Sequence, residues 1–83
     1  MRATIEISMY PLADDYIPLI DAVIEKLNSF KGLRVETFTT ATTLIGDYDT
    51  AMTAMKETIA WSYDQFGTTV FAAKIIPGYD PQA

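Results

Sequence analysis

Two short stretches of the chain combine hydroxyl, aromatic and carboxylate side chains: Ser8-Met9-Tyr10-Pro11 running into Asp14-Asp15, and Thr42-Thr43-Leu44-Ile45-Gly46-Asp47. Each reads as the end of an extended segment turning into the start of a helix. Such junctions collect free backbone N–H groups and polar side chains around one point, a setting suited to a small heteroaromatic ligand. The hydroxyls of Ser8, Thr42 and Thr43, with the carboxylate of Asp47, supply donors and acceptors for such a ring. A plainer reading covers the same residues, because aspartate is among the commonest helix N-caps and threonine favours strands. On residue pattern alone both readings stand.

Other chemistries find little support. The chain has no cysteine and no histidine. It therefore lacks a thiolate nucleophile, a sulfur-ligated zinc and the side chain that titrates nearest neutral pH. Asp14 with Asp15, and Asp47 with Asp49, fit helix capping better than a cation site, since no calcium-loop spacing accompanies them. No metal and no cofactor is expected. There is no phosphate-cradling glycine loop, nucleophile elbow or catalytic triad, so the chain is expected not to be an enzyme. Eleven acidic against six basic residues give a net charge of −5. That charge disfavours nucleic acid and acidic membrane surfaces and welcomes a cationic ligand. The start, Met1-Arg2-Ala3-Thr4-Ile5-Glu6, does not read as a secretory signal, and no apolar run approaches the roughly 20 residues that span a bilayer. A cytoplasmic location is the expectation.

The elements that must position these residues follow from periodicity. Ala3, Ile5, Ile7 and Met9 alternate with Thr4, Glu6 and Ser8, the pattern of a half-buried strand. Asp14-Asp15 offers an N-cap to a helix carrying Ile17, Ile20, Val23, Ile24, Leu27 and Phe30, with Pro18 tolerated in the first turn and Gly32 as its stop. A second strand alternates Leu33, Val35 and Thr37 with Arg34, Glu36 and Phe38, and the threonine run from Thr39 leads into a third ending at Gly46. Asp47 then caps a second helix with the stripe Ala51, Met52, Met55, Ile59, Tyr63 and Phe66, from which Trp61 points away. Thr69 to Ile76 forms the fourth strand.

The order β-α-β-β-α-β specifies an α+β fold of the ferredoxin-like kind, a four-stranded antiparallel sheet with two helices on one face. One domain, 1–83, is expected, with an ordered core about 2–77 and a short tail 78–83. The first and third strands are expected to be parallel neighbours, which would set the two junctions side by side. The second sheet face carries Glu6, Ser8, Tyr10, Arg34, Glu36, Phe38, Thr43, Ile45, Ala72, Lys74 and Ile76, a mixture that suits contact with another copy. So small a chain buries only about 60 to 65% of its unfolded surface, which also favours association.

Ile7-Ser8-Met9-Tyr10-Pro11-Leu12, Asp15-Tyr16-Ile17 and Thr42-Thr43-Leu44-Ile45-Gly46-Asp47, in this order and spacing, resemble the YkoF-like thiamine-binding family. The resemblance covers nearly the whole chain and includes Ala73-Lys74-Ile75. It implies the same ferredoxin-like fold and cytoplasmic binding of thiamine or its hydroxymethylpyrimidine moiety. It also implies self-association into a dimer or tetramer. On this resemblance Ser8 and Thr42 match hydroxyl positions of the family motif, while Tyr10, Asp15 and Asp47 surround the same strand ends. Tyr10 would stack on the pyrimidine and an aspartate would offset the thiazolium charge. Strand parity puts Ser8 and Thr42 on opposite faces, which a shared ligand would have to bridge. Ile45 stands where relatives can carry a charged residue, which disfavours a phosphorylated ligand. Two other classes compete: an oligomerising structural or regulatory subunit whose pocket is filled by its own side chains, and a small dimeric ferredoxin-like enzyme.

Overall fold

A computed structural model describes residues 1–12 and 14–82; Ala13 and Ala83, the last residue of the expected tail, lie outside the described residues. Six elements follow in the expected order: β1 (Arg2–Pro11), α1 (Ile17–Asn28), β2 (Leu33–Thr37), β3 (Thr42–Asp47), α2 (Tyr48–Phe66) and β4 (Thr69–Pro77). The strands form one antiparallel sheet in the order β2-β3-β1-β4, the ferredoxin-like arrangement.

Registry decides which side chains share a face. Ile5 lies opposite Leu44 on β3 and Ile75 on β4, and Leu44 lies opposite Val35 on β2. Ala3, Ile5, Ile7 and Leu44 thus line the helix side, where Leu19, Val23, Leu27 and Ala51 pack down on them. β1 and β3 pair antiparallel, with Ile7 opposite Thr42, so the expectation of parallel neighbours is corrected. A crossover through α1 leaves β2 parallel to β1, and the tight β2–β3 turn then reverses β3. That turn is closed by the Phe38 amide donating to the Ala41 carbonyl at 2.8 Å.

The helices differ in detail from the sequence reading. α1 begins after Tyr16, with Pro18 in its first turn and no side-chain cap, so Asp14 and Asp15 precede the helix instead of capping it. Its core line is Leu19, Val23 and Leu27, at spacing i, i+4, i+8, whereas Ile17 is exposed and Phe30 lies beyond the helix end at Asn28. α2 is capped as expected: the Asp47 carboxylate accepts from the Thr50 amide at 3.2 Å. Its buried line, however, is Ala51, Ala54, Thr58 and Ser62. Small side chains let the α2 backbone lie close to the sheet, and the larger Met52, Met55, Ile59 and Tyr63 fall on one flank. Trp61 is on the opposite flank, half-buried against the core, with its ring edge-on to Phe66 and the Lys26 ammonium 5.7 Å from its centroid. The expected outward-pointing tryptophan is therefore a seam residue between the helices.

Gly46 has a packing reason. A Cβ there would lie 2.7 Å from the Leu33 side chain and 2.9 Å from the Gly32 carbonyl oxygen, so the β2–β3 pairing is closed only by a glycine. On the open face, the segment after β4 folds back over the sheet. The Gly78 amide donates to the Arg2 carbonyl at 2.7 Å, the Thr4 hydroxyl donates to the Tyr79 carbonyl at 2.8 Å, and Asp80 accepts from both Arg2 and Arg34. Part of the face expected to meet another copy is covered by the chain itself.

Asp80 and Asp47 give the fold an acid limb. The Gln82 amide, then the Arg2 guanidinium, hold the Asp80 carboxyl below its ordinary value; the Thr50 amide does the same for Asp47. Because both folded values are lowered, their stabilisation is complete above the ordinary aspartate range and is lost as pH falls through the folded values. The melting temperature is expected to hold down to about pH 5 and to decline below about pH 4, less steeply in Asp80→Asn. A melting temperature that rises on acidification across that interval would contradict this assignment.

Candidate functional site

A cavity of about 280 Å³ lies on the helix side at the end of the sheet where β1 finishes and β3 begins. Its floor is Ile7, Met9, Thr42 and Phe71 from three adjacent strands; its roof is Ile20, Val23, Ile24 and Leu27 of α1. Thr37 and the turn Phe38-Thr39-Thr40-Ala41 form one wall, and Tyr10 stands at the strand end beside it. The lining is thus apolar, with four threonines, two aromatic residues at the turn and strand end, and no charged side chain. A half-open cavity of this kind, somewhat below the usual 300–1,000 Å³ of ligand pockets, suits a flat, neutral, largely apolar group read by a few hydroxyls.

Local sequence explains how the cavity arises. The buried line of α1 anchors the helix through Leu19, Val23 and Leu27, and this tilts Ile20 and Ile24 over the strand ends. Beyond Thr37 the chain leaves the sheet for four residues and β3 begins only at Thr42, opposite Ile7, so Met9 at the end of β1 has no β3 residue beside it. The gap under α1 is what remains.

Of the residues singled out from sequence, the structure places Thr42 on the floor of this cavity and Tyr10 at its rim. Thr42, only 7% exposed, lies opposite Ile7 on the helix side, whereas Tyr10, opposite Val70, alternates to the open face and meets the cavity only at the end of β1. Ser8 and Thr43 lie on the open face, opposite Ala72 and Glu6 respectively. Asp15 is exposed in the segment before α1 and is not among the lining residues. Asp47 is at the far end of the sheet, where it lies opposite Arg2 and caps α2. Antiparallel pairing of β1 with β3 accounts for this: it puts the end of β1 against the start of β3, so the expected meeting of Asp47 with Ser8 and Thr42 does not occur. Sequence reasoning missed Thr37, Phe38, Thr39, Thr40 and Ala41, Phe71 of β4, and the α1 roof. The threonine-rich stretch Thr39–Thr43, which reads from sequence as a turn and the start of the third strand, is the available signal for this wall.

No protein-family model and no curated protein matches the sequence. Solved structures do. Protein SP2199 from Streptococcus pneumoniae superposes with a TM-score of 0.86 at 26% identity, covering 95% of this chain and 89% of that one. A candidate thiamine biosynthesis/salvage protein (TM0486) from Thermotoga maritima gives 0.82 at 25% identity, covering 99% and 87%. A DUF77 domain from Bacillus cereus gives 0.76 at 24% identity, covering 98% and 78%, a likeness of fold alone. The chain is thus similar to a group that includes a protein connected by name with thiamine, and nothing in these likenesses singles out the YkoF-like members. Among the described residues no helix is long and apolar enough to cross a membrane.

Proposed function

We propose that the chain is a non-catalytic, self-associating binding protein that takes the pyrimidine moiety of thiamine, or hydroxymethylpyrimidine itself, in the cavity beneath α1. The observation that carries this reading is an open, uncharged cavity with Thr42 on its floor and Tyr10 at its end. A structural subunit with no ligand would be expected to fill that space with its own side chains. The similarity to the Thermotoga maritima protein and the YkoF-like resemblance supply the ligand class. A neutral aminopyrimidine matches the lining, because a cation placed there would lose its hydration with no carboxylate among the lining residues to compensate. The thiazolium half of thiamine belongs outside, where the net charge of −5 favours it. The Thr42 hydroxyl would bond a ring nitrogen or the amino group, and Phe71 on the floor offers the ring an aromatic face.

Isothermal titration with thiamine and with hydroxymethylpyrimidine tests this directly. Saturable binding of at least one is expected. Thr42→Val keeps the shape of the floor and removes its hydroxyl, so affinity should fall by about 10- to 100-fold, the range for leaving one buried polar group of the ligand unpaired. Ser8→Ala, on the other sheet face, should leave affinity unchanged. Absence of heat with both ligands at high protein concentration would refute the reading. Weakening by Ser8→Ala with no effect of Thr42→Val would move the site to the open face.

A further inference from the structure

The two edges of the sheet are unlike. β2 is five residues long and carries Arg34 and Glu36, features that discourage pairing with another chain. β4 runs for nine residues, is the outermost strand, and has Lys74 as its only charge. An edge strand of that length and composition is a template for another strand unless something covers it.

Exposed apolar side chains flank β4 on both faces. On the helix side Ile75 is 41% exposed and Ala73 is also exposed. On the open side Val70 and Ile76 are exposed at 49% and 46%. The flank of α2 away from Trp61, and so away from α1, presents Met52, Met55, Ile59 and Tyr63, with Tyr63 65% exposed. A strand and a helix flank thus form one apolar border along the same side of the domain.

We infer that this border is the contact between two copies of the chain, which pair β4 with β4 antiparallel about a two-fold axis through Ala73. The register is chosen by self-complementarity. Centred on Ala73, Phe71 meets Ile75 of the second copy on the helix side, Val70 meets Ile76 on the open side, and Lys74 meets Ala72. A centre at Lys74 would oppose two ammonium groups, and a centre at Ala72 would leave Ile75 opposite Thr69 and Ile76 opposite Thr68. Antiparallel pairing about such an axis keeps all helices on one face of an eight-stranded sheet, so the two α2 flanks close over the exposed Ala73 and Ile75. Phe71 also lines the cavity, so Ile75 of the second copy becomes its neighbour. The inference deepens the self-association part of the proposed function and uses no ligand.

The chain's lack of cysteine makes the test clean. In Ala73→Cys the two Cα atoms would be about 4.5–5.5 Å apart across the axis, within disulfide reach. In Val70→Cys they would be about 20 Å apart, six residues along the paired strand. Mild oxidation should convert Ala73→Cys to a covalent dimer at least tenfold faster than Val70→Cys, and the wild-type chain should sediment as a dimer or a larger even assembly. A wild-type oligomer in which Ala73→Cys cross-links no faster than Val70→Cys would overturn this surface and leave self-association standing. A wild-type monomer throughout the micromolar range would overturn both, with ligand binding still judged by titration.

Discussion

Truncation of Leu44 to alanine is expected to lower stability by about 3–5 kcal/mol, the upper part of the range for a leucine deleted from a rigid core. Leu44 has no exposed surface, lies between Ile5 and Val35 in the sheet, and faces the α1 line of Leu19, Val23 and Leu27. Three strands pinned by registry, with a helix above, leave little freedom for collapse into the vacated space. A domain of this size has a total stability of only about 4–12 kcal/mol, so the variant should sit near the edge of unfolding. Urea denaturation followed by the fluorescence of Trp61, the only tryptophan, gives the measurement. Its midpoint should fall sharply with little change in slope. The equally apolar but 61% exposed Ile17, replaced by alanine, should change stability by no more than about 0.5 kcal/mol. Equal effects at the two positions would contradict the packing described for the sheet.

The second large effect concerns the cavity. Ile24 is half-buried on α1 and forms part of the roof without belonging to the core line. Ile24→Trp is therefore expected to project an indole into the space beneath while Leu19, Val23 and Leu27 still hold the helix. Affinity for hydroxymethylpyrimidine should drop by more than about tenfold, or about 1.4 kcal/mol, with the urea midpoint little altered. The two readouts separate blockage from unfolding. Unchanged affinity in a folded Ile24→Trp variant would place the ligand elsewhere.

Comparison of pattern with structure shows which physical signals were legible. The alternation of Ala3, Ile5, Ile7 and Met9, and the capping aspartate at 47, are local, and both survive into the fold. Helix faces are less legible, because hydrophobicity alone does not fix which side of a helix is buried. On α2 the sheet requires small residues for close approach, so Ala51, Ala54, Thr58 and Ser62 take the inner line and the bulky residues move to the flank. On α1, Leu19 joins Val23 and Leu27 in the core at i, i+4, i+8, and Ile17 falls on another side of the helix and is exposed. The site was harder still. Strand direction is a property of the whole topology, and treating β1 and β3 as parallel joined Asp47 to residues that lie at the other end of the sheet. The cavity itself depends on where β3 enters the sheet beside β1 and on the tilt of Ile20 and Ile24, neither of which is encoded in any short motif. Strand parity did carry through: Ser8 and Thr42 fall on opposite faces, as alternation requires.

The central claim is that a pyrimidine occupies the space between α1 and the strand ends. Titration of the nitrogen-15-labelled protein with hydroxymethylpyrimidine, followed by amide chemical shifts, tests it most directly. The account predicts saturable shifts concentrated at Thr37 to Thr42, Tyr10 and the α1 residues Ile20 and Ile24, with the amides around Asp47 and Thr50 at the far end unmoved. Shifts centred on Asp47, or on Glu6, Ser8 and Thr43 of the open face, with the turn and α1 silent, would contradict it.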